Sequence, residues 1–132
     1  MIRHRLFLDA NVLFSAAYRP EAGIARLWKF SRVELMTSAY AAEEARVNLA
    51  SEDQRNRLIG LLRKVQVITG ISPLPHGVEL PPKDLPILRG AIYSQATHLL
   101  TGDRHDFGKL FGHRLAGVLI LSPAEYFDRY LP

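Results

Sequence analysis

The chain has 132 residues and a mass of 14.9 kDa, enough for one domain (1–132) whose core needs neither disulfides nor a structural metal. It contains no cysteine, which excludes disulfide frameworks, thiol nucleophiles and cysteine-based metal clusters and fits the cytoplasm. The formal net charge of +4 and pI near 9.7 favour a polyanionic partner, and no apolar run approaches the roughly 18 residues of a membrane span, so no membrane role is expected.

Met1 to Arg5 leads into a strand rather than a signal-peptide core. Leu6, Phe7 and Leu8 are large and apolar and run straight into Asp9, which predicts a buried strand with a carboxylate at its exit. Val12, Leu13, Ser15 and Ala16 restart as an apolar helix, so Asp9 or Asn11 lies at the turn. There it serves either as a helix cap or as a group on the edge where open α/β sheets bind ligands. Arg19-Pro20 marks a break, and Ile24, Leu27 and Trp28 predict a second helix ending near Ser31. Glu34 to Thr37 is a short strand, and Ser38 caps a helix from Ala39 to about Leu49 that contains Glu43 and Glu44.

A further helix starts near Ser51 or Asp53, with Leu58, Leu61, Leu62 and Val65 inward and Arg55, Arg57, Arg63 and Lys64 outward. Val65 to Thr69 reads as a third strand, and Gly70 to Lys83, with four prolines, as the longest loop. Asp84 opens a helix from Leu85 to about Thr97, with Leu85, Leu88 and Ile92 inward and Pro86 in the first turn. His98 to Thr101 is a fourth strand that again runs out into acids, in Gly102-Asp103-Arg104-His105-Asp106. A short helix (Lys109 to Gly112) and a strand (Gly117 to Leu121) precede Ser122-Pro123-Ala124-Glu125, a capping box that opens a last helix over Tyr126 and Phe127. Strands that alternate with helices predict a three-layer α/β/α fold around a mostly parallel sheet of about five strands.

The strands of a parallel sheet end at one edge, so Asp9 and Asp103 can converge there, and Asp84 can join them from its helix. Clustered carboxylates raise one another's pKa unless a cation lies between them, and hard oxygen donors suit Mg²⁺ or Mn²⁺. Each acid also has a plainer use. Asp84 can be an N-cap, Asp106 a turn residue, and Glu43 and Glu44 a solvated helix face, with Glu44 slightly nearer the apolar side. Arg104 lies beside these acids and can hold a phosphate or serve as an ordinary loop charge. The histidines at 4, 76, 98, 105 and 113 make no metal-binding spacing, and only His105 is near enough to Asp103 to touch the site.

The segments LFLDANVLFSA, TSAYAAEEARVNL, KDLPILRGAI and LLTGDRHDFG, in this order along the whole chain, resemble the PIN-domain nuclease family. The resemblance implies Asp9, Glu44, Asp84 and Asp103 as catalytic and metal-binding acids, Thr101 as the threonine of a T-x-D turn, and Asn11 and Asp106 as accessory groups. It implies Mg²⁺ or Mn²⁺ as cofactor and RNA as substrate. Single-domain chains of this size are similar to VapC-type toxin ribonucleases, which form homodimers and are held inactive by an antitoxin protein. An aspartate-nucleophile phosphatase is disfavoured because position 11 is Asn where that chemistry wants D-x-D, and nucleotide-binding glycine motifs are missing. The rival reading is a non-catalytic PIN-like module that binds RNA or acts as a scaffold.

Overall fold

Leu6, Phe7 and Leu8 have no solvent exposure because their strand, β1 (His4–Leu8), runs through the middle of the sheet. In the computed structural model, which describes residues 3–130, this sheet has six strands in the order β3-β2-β1-β4-β6-β5. They are β2 (Val33–Ser38), β3 (Gln66–Ile68), β4 (His98–Leu100), β5 (Arg114–Leu115) and β6 (Val118–Leu121). All neighbours pair in parallel except β5 and β6, so the expected three-layer, mostly parallel architecture is borne out.

The helices are α1 (Ala10–Ala17), α2 (Ala39–Asn48), α3 (Glu52–Leu62), α4 (Leu85–Tyr93), α5 (Arg104–Phe107) and α6 (Pro123–Tyr130). Several begin where the sequence indicates. Ser38 accepts from Ala41 N at the start of α2, and Ser51 and Gln54 form a capping box on α3. At α6, Ser122 N donates to Glu125 Oε1 at 2.9 Å and Glu125 N to Ser122 Oγ at 3.1 Å. α4 lies against β1 where Gly90 meets Phe7. A Cβ at position 90 would stand 3.0 Å from the Phe7 ring, so a larger residue there would push α4 off the sheet. No helix among the described residues is long and apolar enough to cross a membrane.

Four expectations need correction. Gly23–Lys29 is a 3₁₀ segment and not an α-helix; Leu27 alone is fully buried in it. α4 stops at Tyr93, four residues short of Thr97, and buries Ile87, Leu88 and Ala91 while Leu85 and Ile92 are half-exposed. Asp103 starts a turn of α-helix, α5, before a 3₁₀ turn at Gly108–Leu110 that replaces the helix expected at Lys109 to Gly112. The sixth strand comes from an unexpected hairpin, β5–β6, whose two-residue loop has positive φ at both Ala116 and Gly117.

Candidate metal centre

The chain lays down β2 and β3 on one side of β1, then returns to place β4 on the other side. The direction of winding reverses between β1 and β4, and a crevice opens outside the carboxyl ends of strands at such a point. The register pairs Leu8 with Leu100, which brings Asp9 and Thr101 side by side at that crevice.

Asp9 is 3% exposed; it caps α1 and stands at the crevice edge. Oδ1 accepts from Ala10 N at 2.7 Å and caps α1; Oδ2 accepts from the Thr101 hydroxyl at 2.8 Å and from Asn11 Nδ2 at 3.2 Å. Thr101 Oγ1 in turn accepts from Asp103 N at 3.1 Å and from Asn11 Nδ2 at 3.2 Å, and Asn11 Oδ1 accepts from Gly102 N at 2.7 Å. Asn11 and Thr101 thereby lock the exits of β1 and β4 together. Burial pushes the Asp9 carboxyl above its ordinary pKa. The bonds from Thr101 and Ala10 oppose that shift, and the charges of Glu44 and Asp103 add to it.

Asp84 sits at the start of α4 but its side chain makes no capping hydrogen bond, so the capping reading fails for this residue. Its carboxylate is 6% exposed and Oδ2 is buried without a hydrogen-bond partner. A buried, unpartnered carboxylate oxygen is costly unless it carries a proton or meets a cation. Carboxylate oxygens of Asp84, Asp103 and Asp106 all lie within 4.8 Å of one another. Burial, then the neighbouring Asp106, Asp103 and Asp9, push Asp84 up to about 7. Asp106 is held well below the usual carboxylate range by His105, Asp84 and Lys83. The pair therefore divides the load, Asp84 retaining a proton and Asp106 the charge. Asp106, expected as an accessory, belongs to the tightest group of acids.

Glu44 is half-buried and lines the same cavity of about 450 Å³ as Asp9, Asn11, Asp84 and Asp103, although it stands outside the close triad. Glu43 points to solvent and pairs with Arg46 at 2.6 Å. Lys83, which the sequence reading passed over, lines the cavity and reaches Asp106 Oδ2 at 3.2 Å. Its position beside Asp84 was the available signal. Arg104 lies 4.5 Å from the Phe111 ring centroid and 3.4 Å from Glu125, and it lines a groove beside α6 that shares Asn11 and Asp103 with the acid cavity. Arg55 and Arg57 are occupied as donors to the backbone carbonyls of Leu49, Ala17 and Tyr18.

The donor set fits a divalent cation. It consists of hard oxygens, one of them orphaned and buried, with an excess of negative charge that Lys83 and His105 offset only in part among the described residues.

No family model and no curated protein matches the sequence. Solved structures do share the fold. A chain in the crystal structure of VapBC2 from Rickettsia felis, bound to a DNA fragment from their promoter, is similar with a TM-score of 0.65 at 13% identity over 89% of this chain and 98% of that one. A chain of VapBC-1 from nontypeable Haemophilus influenzae is similar with a TM-score of 0.56 at 16% identity over 91% and 98%. The PIN-like fold implied by the motifs is borne out by these likenesses; at such identities they speak for the fold.

Proposed function

We propose that the chain is a metal-dependent ribonuclease acting in the cytoplasm, with Asp9, Glu44, Asp84 and Asp103 as its site acids and Asp106 beside them. The observation that carries this reading is Asp84 Oδ2, buried among carboxylates at the switch point of the sheet and left without a partner. A helix cap or a solvated acid has no reason to be placed so.

Mg²⁺ or Mn²⁺, held by Asp84, Asp103 and Asp106 with Asp9 and Glu44 at hand, would supply an acidified water and positive charge for a scissile phosphodiester. The chain's own residues prepare that chemistry. Thr101 and Asn11 fix the orientation of Asp9, and the backbone turn at Gly102 to Asp106 presents two further carboxylates. Without metal the Asp84 carboxyl is pushed up to about 7, so it would give up its proton on binding a cation and complete an anionic donor set. Lys83 shields part of that charge from an incoming polyanion. The +4 net charge favours RNA over a neutral substrate.

The two solved structures named above are VapBC structures, which supports a toxin whose partner is an antitoxin protein. Assembly as a homodimer is a further part of this proposal and is read by sedimentation of the purified chain. The test is cleavage of single-stranded and structured RNA by the purified chain with Mg²⁺ or Mn²⁺, with EDTA, and in Asp84→Asn and Asp103→Asn, alongside calorimetric titration of Mn²⁺. Metal-dependent cutting that both variants lose, together with their Mn²⁺ binding, is the expected result. RNA binding without cutting under any metal would instead identify a non-catalytic module.

A further inference from the structure

We infer that the exposed face of α1 carries a stacking subsite for one nucleobase of the bound strand, built from Phe14 and Tyr18. The inference rests on the ribonuclease reading above and locates where the strand is held outside the acid cavity.

Asn11, Phe14 and Tyr18 are three and four residues apart and so share one face of the helix. Asn11 and Phe14 line the acid cavity, and Phe14 also lines an adjoining cleft of about 420 Å³ with Tyr18 and Arg19. The two rings lie 5.4 Å apart between centroids, tilted by 39°, and form a step leading out of the cavity. Tyr18 is 53% exposed. A lone exposed ring is ordinary, but this one packs beside Phe14 on a held stretch of backbone, because the Tyr18 carbonyl accepts from Gln54 Nε2 at 3.0 Å and from Arg57 Nη2 at 3.2 Å. A tyrosine has only two side-chain torsions to lose when a second ring is laid upon it, so the entropy cost is small.

One way out of the acid cavity runs past Phe14 into the adjoining cleft, and the next apolar surface along it is Tyr18, flanked by the positive Arg19. Aromatic platforms beside positive charge are the means by which proteins hold unpaired strands. The faces of bases within a duplex are already stacked and cannot reach the ring.

The test compares initial rates with Mn²⁺ for wild type, Tyr18→Phe and Tyr18→Ala on a short labelled single strand and on the same sequence paired in a duplex. A series of single strands carrying one abasic nucleotide at successive positions completes it. Tyr18→Ala should raise KM on the single strand about 5- to 150-fold while leaving kcat within about twofold, and Tyr18→Phe should behave as wild type. One abasic position should reproduce that loss in wild type and add nothing in Tyr18→Ala. Unchanged KM in Tyr18→Ala, with wild type still cutting, would overturn the inference and leave the ribonuclease reading intact. So would an equal loss on both substrates, or a change in sedimentation of Tyr18→Ala, which would mark the face as a contact with a second copy. If wild type cuts no RNA, the ribonuclease reading fails and the subsite with it.

Discussion

The hydroxyl of Thr101 donates to Asp9 Oδ2 at 2.8 Å across 92 positions of sequence, and the same oxygen accepts from the Asp103 amide at 3.1 Å. One side chain thus ties together the two acids that leave adjacent strands. Thr101→Val would strip Asp9 of its strongest partner and orphan the Asp103 amide. It should cost about 1 to 3 kcal/mol in urea unfolding, whereas Thr101→Ser, which keeps the hydroxyl, should cost under about 1 kcal/mol.

Asp84 should make the metal-free protein sensitive to alkali. Its pKa rises from 3.8 unfolded to about 7 folded, so its contribution is fully present below about pH 4 and is lost as pH climbs through about 7. In EDTA at about pH 8, Asp84→Asn should therefore be more stable than wild type, by an amount on the order of 1 kcal/mol after solvent screening, and near pH 4 the gain should vanish. Mn²⁺ should raise the melting temperature of wild type and leave the variant nearly unmoved. A variant no more stable than wild type in EDTA would count against the strained cluster.

Glu43 and Glu44 can be told apart by activity. Glu44 lines the acid cavity and Glu43 faces solvent against Arg46. Glu44→Gln should lower kcat on RNA by about 100-fold or more, and Glu43→Gln should leave it within about twofold. The reverse order would place the cavity on the wrong side of α2.

At the opposite end of the sheet, His98 is 4% exposed and lies 4.6 Å between ring centroids from His4. Its Nε2 meets the Tyr130 hydroxyl at 3.3 Å and its Nδ1 meets Thr97 Oγ1 at 2.7 Å. Burial first, then the positive charges of His4, Arg114 and Arg129, lower it to about 4. The folded state therefore disfavours the charged ring, and stability present above about pH 6.5 should fall as pH drops toward about 4, by roughly 2 kcal/mol when screening is counted. Thermal melts across that window should show the slope in Asp84→Asn, where the opposing carboxylate titration is removed, and a flatter one in the double variant with His98→Gln.

What was legible in the chain was local or periodic. The run Leu6 to Asp9 announced a buried strand with an acid at its end, and Ser38, Ser51 and Ser122 announced helix starts, because capping depends on residues three apart. What escaped was set by backbone conformations that their residues do not advertise. α4 ends because Gln95 adopts φ 56°, and Ala96 N closes back onto Ala91 O at 3.1 Å, a turn that usually signals itself with glycine. The β5–β6 hairpin places Ala116 at φ 49°, where asparagine or glycine is the usual sign. In the site, the convergence of Asp9 with Asp103 follows from parallel strands. The orphaned state of Asp84 and the closeness of Asp106 depend on loop geometry that no periodicity encodes.

The sheet order sets a schedule for a chain emerging from the ribosome. Asp9 and Glu44 leave the tunnel early, on a half-sheet of β1, β2 and β3 whose inner edge is bare. Asp84, Asp103 and Asp106 come only with α4 and the exit of β4, and β4 itself stays an open edge until β6 is made and joins it. The acid cavity is therefore incomplete on a nascent chain until the segment through Asp106 has emerged. If its acids cut RNA, the ribosome that is translating them is not exposed to the finished centre until β4 has left the tunnel and β6 has joined it.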